Sequence, residues 1–183
     1  FVATICYPYK TYAVAEVCIN PQFKEYQTGE ICEVKNVRLS GGQGGPVEVV
    51  EVEPTIIPVG ENIKVNFKIS IRNSGGGNVY ASETYYKECS DNPSDVIMNL
   101  DKNRIRIEAK LSGQYLDCRL GEMERGVVYL DEKGEGYTVC STILPLKQQV
   151  YMTPLEIELD YGYAESIVKT FDIVSYYKNI LSR

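Results

Sequence analysis

The chain contains no histidine. That removes the side chain most often used as general base, zinc ligand or switch near neutral pH. Tryptophan is missing as well, and four phenylalanines stand against 15 tyrosines. Tyrosine suits strands and half-buried positions, where the ring is covered and the hydroxyl stays wet. There is no basic excess: 19 Lys and Arg face 25 Asp and Glu, for a net charge of −6. A nucleic-acid backbone needs the opposite sign, so no nucleic acid is expected as a partner. No basic helix suggests an anionic membrane surface. No apolar run approaches the ~20 residues of a membrane-crossing helix, so no membrane span is expected.

What is present begins with six cysteines: Cys6, Cys18, Cys32, Cys89, Cys118 and Cys140. None has C-x-x-C spacing, and no histidine can assist, so a metal or cluster site is not expected. Disulfides are the reading, and they imply an oxidising, extracellular or cell-surface location. Six buried, reduced cysteines in a cytosolic protein are the alternative. The numbering opens on Phe1, not Met, which suits a mature chain whose signal peptide has been removed, or a chain trimmed at its start. Cys18 and Cys32 lie symmetrically about Glu25 and would face each other across a hairpin. Cys6 cannot reach Cys18 along one straight strand, because bonded cysteines need Cα atoms within about 7 Å. The rest of the pairing stays open among ~15 connectivities.

The most informative segment is the first, FVATICYPYKTYAVAEVCI. Its odd positions, Phe1, Ala3, Ile5, Tyr7, Tyr9, Thr11, Ala13, Ala15, Val17 and Ile19, form one nearly apolar face. Read as one strand it would reach roughly 60 Å. A compact domain of this length is only about 40 Å across. The segment is therefore expected to bend at Pro8 or to leave the domain and pair with another subunit.

Strand alternation recurs downstream. Ile63, Val65, Phe67, Ile69 and Ile71 share one face, as do Ile105, Ile107, Ala109 and Leu111, and then Leu155, Ile157, Leu159 and Tyr161. Further strands are expected from Ile31 to Leu39, Val47 to Val52, Tyr137 to Leu144 and Ser166 to Val174. Turn signals stand at Gly75–Gly77, Asn92–Ser94, Gly134–Gly136 and Gly162. Short strands without intervening helices predict an all-β fold, a two-sheet antiparallel β-sandwich. The Gly-rich stretch Ser40–Pro46 marks a boundary. Residues 1–45 read as a strand-loop-strand extension with a connector, 46–174 as the sandwich, and 175–183 as a tail, either an amphipathic helix or frayed.

Candidate chemistry is sparse. GGQGG lacks the Lys-Ser/Thr ending of a phosphate loop and reads as a connector. Glu156, Glu158 and Asp160 share one strand face without an identifiable acid/base partner. Asp91, Asp95 and Asp101 form a loop cluster with calcium-type ligands, but a solvated loop is the simpler reading. The tyrosines Tyr7, Tyr9, Tyr12, Tyr85, Tyr86, Tyr161 and Tyr163 suit sugar stacking, or strand packing and subunit contact. No catalytic residue, cofactor or metal is assigned.

The stretch PVEVVEVEPTIIPVGENIKVNFKISIRNSGGGNVY resembles the opening of adhesion-type, immunoglobulin-like domains of bacterial and archaeal surface proteins, the CARDB-like group. The shared features are a first strand, a Pro/Gly turn, and a long alternating strand ending in Asn73-Ser74-Gly75. A weaker likeness runs on through PLEIELDYGYAESIVKTFDIV. The resemblance implies an immunoglobulin-like fold and a surface location, and it transfers no catalytic residues. Together with the long first segment it leads to an expected function: an extracellular structural subunit, not an enzyme. It would assemble with copies of itself into a filament or surface array. Phe1, Ala3, Ile5, Tyr7, Tyr9 and Thr11 would form a donor strand completing a neighbour's sheet. The alternative is a monomeric cell-surface binding module, an adhesin or carbohydrate-recognition domain, with the first strand folded back on its own chain.

Overall fold

A computed structural model describes residues 1–21, 31–41, 43–146 and 149–172. Eleven strands lie among them: β1 (Val2–Ile19), β2 (Val37–Arg38), β3 (Val47–Val59), β4 (Asn62–Asn73), β5 (Asn78–Tyr80), β6 (Arg104–Leu111), β7 (Gln114–Tyr115), β8 (Asp117–Cys118), β9 (Val127–Tyr129), β10 (Glu135–Pro145) and β11 (Tyr151–Val168). The described residues contain no α-helix; two short 3-10 turns occupy Tyr85–Cys89 and Asn99–Asp101. The strands form two antiparallel sheets. One runs β1-β11-β6-β7, with β5 added on β11 and β9 on β6. The other runs β2-β3-β4-β10-β8.

The alternating residues meet between the sheets. Thr11, Ala13, Ala15, Val17 and Ile19 of β1 are buried with Leu155, Ile157, Leu159 and Tyr161 of β11 and with Ile105, Ile107, Ala109 and Leu111 of β6. Opposite them stand Ile63, Val65, Phe67, Ile69 and Ile71 of β4 and Cys140 of β10. Fully burying each large apolar side chain contributes about 1.5–3 kcal/mol.

The sequence reading needs correction at several points. The first segment pairs without interruption through Pro8 and takes its ladder partner from its own chain. All eighteen residues of β1 pair with β11 in one unbroken register, from Val2 opposite Val168 to Ile19 opposite Tyr151. Residues 1–19 are therefore not an appendage to a sandwich starting near residue 46. They are a strand of its first sheet. Pro8 is tolerated for a reason of phase. Phe1 and Lys169 exchange both backbone bonds, so odd residues of β1 aim their N–H and C=O groups at β11 and even ones aim theirs at the open sheet edge. The N–H that proline lacks would have pointed at that edge.

Gly162 is not a turn. It lies within β11, opposite Pro8, and a side chain there would collide with the Cβ of Tyr85, which packs over it. The strand expected to start at Ser166 is the end of this same β11, stopping at Val168. The strand expected from Ile31 to Leu39 shrinks to Val37–Arg38. Its first residues are tied by the Cys18–Cys32 bond to β1 in one sheet while its last pair with β3 in the other. A segment crossing between layers cannot hold a continuous ladder in either. The expected tail, 175–183, lies outside the described residues.

Three disulfides join Cys6 to Cys89, Cys18 to Cys32 and Cys118 to Cys140. The first ties β1 to the Tyr85–Cys89 turn. The last links neighbouring strands β8 and β10, where the two cysteines stand directly opposite.

Candidate functional site

One pole of the sandwich is closed by tyrosines. Tyr7 and Tyr9 of β1 sit on the same face as Tyr163 and Tyr161 of β11, because these residues are direct cross-strand partners. Tyr9 stacks on Tyr161 with ring centres 5.8 Å apart, and Tyr7 lies tilted 5.8 Å from Tyr163. Such pairs stabilise by about 0.5–1.5 kcal/mol beyond the area they bury.

The hydroxyls reach across to the second sheet. Thr11 Oγ1 donates to the Val47 carbonyl at 2.8 Å. Its one proton is thereby committed, so the 2.9 Å contact with Tyr161 has the phenol donating to Thr11. Tyr161 in turn accepts from the Val47 N–H at 3.3 Å. Tyr163 accepts from the Gly77 N–H at 2.7 Å, and Tyr9 donates to the Gly44 carbonyl at 2.5 Å. The two glycine-rich stretches, read in sequence as a connector and a hairpin loop, are thus the segments these tyrosines hold. A Cβ on Gly45 would meet Thr11, and one on Gly75 or Gly77 would meet the Tyr163 ring.

Burial holds Tyr161 protonated, with its pKa pushed up to about 12. Tyr80, buried and beside Glu88, is also raised to about 12. In the unfolded chain both ionise near pH 10. Between pH ~10 and ~12 the unfolded state therefore releases protons that the folded state keeps, and stability falls as pH rises. Each group contributes on the order of 2–3 kcal/mol to that loss, and none of it below pH ~9. Urea unfolding at pH 9 and pH 12 checks this: the midpoint should drop sharply, and Tyr161→Phe should remove part of the drop. A flat profile would refute it.

Beyond this pole the first sheet continues and the second does not. The second sheet ends level with Thr11, Tyr161 and Tyr163, where Val47 and Gly77 are held. On the other side of β11, β6 covers Leu155–Asp160 and β5 covers Gly162–Ala164. Residues Val2–Ile5 and Glu165–Val168 are left as a two-stranded ribbon, extended by the Phe1–Lys169 pair. It projects roughly 15 Å. Its inner face continues the core-facing side of the sheet with no described residue opposite: Phe1 is 74% exposed, Ile5 56% and Ile167 52%. Ala3 shares this face. On the other face Val2 and Val168 are also exposed, and Thr4 and Ser166 hydroxyls lie 2.9 Å apart. The ribbon thus leaves large apolar side chains in water on both of its faces.

The six residues of the expected donor strand thus divide at Tyr7. Phe1, Ala3 and Ile5 lie in the ribbon, whereas Tyr7, Tyr9 and Thr11 pack at the pole within their own chain. What alternation could not disclose is β11's share, Ile167 and Val168, and the place where the opposing layer stops.

The other candidate residues are scattered. Glu156, Glu158 and Asp160 line the outer, solvent-facing side of β11, where Glu158 forms an ion pair with Lys10. Asp95 accepts from Ser90 Oγ. No three His, Cys, Asp or Glu side chains converge to hold a metal ion among the described residues. No described helix is long and apolar enough to cross a membrane. No protein-family model, no curated protein and no solved structure matches the chain.

Proposed function

We propose that the chain is an extracellular structural subunit, with an immunoglobulin-like sandwich of the CARDB type, that assembles with copies of itself into a filament or surface array. The observation carrying this reading is the projecting ribbon. A lone two-stranded ribbon is marginal in water. One that also exposes Phe1, Ile5 and Ile167 is an interaction element awaiting a cover. The three disulfides support an oxidising location. Donation of β1 alone would require breaking its ladder with β11 and its bond to Cys89. Docking of the intact ribbon requires neither, and is the form the geometry favours.

A second reading is a monomeric surface binding module, favoured by the folding of β1 onto its own β11. Sedimentation velocity over a concentration series separates the two. Self-association that grows with concentration supports the subunit; a compact monomer throughout supports the module. A non-reducing gel adds the mode. Intact-ribbon docking leaves one monomer band, whereas exchange of β1 between copies would place the Cys6–Cys89 bond between chains and give a ladder.

A further inference from the structure

We propose that the ribbon's cover is the ribbon of a second copy, the two interlocking face to face about a two-fold axis centred on Ala3 and Ile167. This inference rests on the self-assembly reading. It follows from the shape of the step at the tyrosine pole. The first sheet runs on where the second stops, so the inner face of the ribbon looks into a layer, about 10 Å deep, that no described residue fills. A second molecule turned about an axis across the ribbon offers its own ribbon as that missing layer. Its tip then abuts the end of the first molecule's second sheet, at the Gly44 and Gly75 loops. Two steps of the same form complete each other, as an isologous contact requires, and the contact closes on a pair, which is then the building block that the array joins through a second surface.

The residues on the inner face fit this register. On β1 the order is Phe1, Ala3, Ile5; on β11 it is Glu165, Ile167, Lys169. Antiparallel apposition about Ala3 sets Phe1 of one copy on Ile5 of the other. The same operation about Ile167 sets Glu165 of one copy on Lys169 of the other, twice per dimer. The smallest side chain falls on the axis. Neither Glu165 nor Lys169 is in an ion pair among the described residues of the single chain. A standard interface takes ~800 Å² from each partner. The apolar side chains of the inner face supply part of that area, and the stem of Lys169 and the loop ends met by the incoming tip add to it.

The test is a set of charge exchanges, read by sedimentation at low and moderate salt. Glu165→Lys alone, or Lys169→Glu alone, sets like charges opposite each other and should raise the dimer dissociation constant about tenfold at low salt. The combined exchange should restore it. Ile5→Asp should abolish the dimer. All three positions are exposed, so thermal melting at concentrations where the protein is monomeric should be unchanged, which separates loss of contact from loss of fold. Self-association that ignores these exchanges overturns the two-fold contact while leaving the self-assembly reading standing. A monomer at every concentration, including one whose ribbon takes up lipid vesicles, overturns both.

Discussion

Removing the Cys6–Cys89 bond should destabilise the protein more than removing either of the other two. This bond closes the longest loop, with a sequence separation of 83 against 22 and 14. In the chain-entropy description that corresponds to about 4–5 kcal/mol, against ~3 kcal/mol for each shorter loop. Urea unfolding of the three paired Cys→Ser variants checks the order, and a larger loss from the Cys18–Cys32 pair would sink the argument. Accessibility adds a kinetic side. Cys118 and Cys140 are buried, whereas Cys89 lies on the exposed turn. Thiolate attack needs access to sulfur, so limited reductant followed by alkylation and mass spectrometry should label Cys6 and Cys89 first. The functional consequence is local. The bond anchors the base of the ribbon, and its loss should fray the ribbon before the core.

The second large effect concerns Tyr161. Its ring is fully buried, and its hydroxyl completes the arrangement with Thr11 and Val47. Tyr161→Ala should cost about 3–5 kcal/mol, from the lost ring and the cavity it leaves. Tyr161→Phe keeps the ring but leaves the Val47 N–H without its phenol acceptor, at about 1–3 kcal/mol. Comparing the two by denaturant unfolding separates ring from hydroxyl. Equal losses would mean that the ring contributes nothing at this pole, contrary to its position between the sheets.

Much of this architecture was legible in the residues themselves. Alternation identified the inward faces of β4, β6 and the middle of β11, because a half-buried strand must alternate. It also identified the odd face of β1. It could not tell how far along that face a second layer extends. Ala13 and Ile5 occupy equivalent phases in the sequence, yet one is buried and the other exposed. The pairing of β1 with β11 was hidden for a different reason. Its partners are separated by most of the chain, and no local pattern encodes contact between residue 2 and residue 168. Gly162 misled because glycine serves turns and close packing alike. Here it makes room for the Tyr85 that covers it. Tyr7, Tyr9, Tyr161 and Tyr163 stood out in the sequence among seven candidate tyrosines, with sugar stacking and strand packing both open. Their role emerged when hydroxyl partners became visible on glycine loops from the opposite sheet.

The tyrosine cluster also gives the molecule a built-in optical marker. With no indole to dominate the near-ultraviolet, coupled phenol transitions from rings 5.8 Å apart stand out in circular dichroism and report on the pole where the ribbon is rooted. Rearrangement there can be followed in the unlabelled protein.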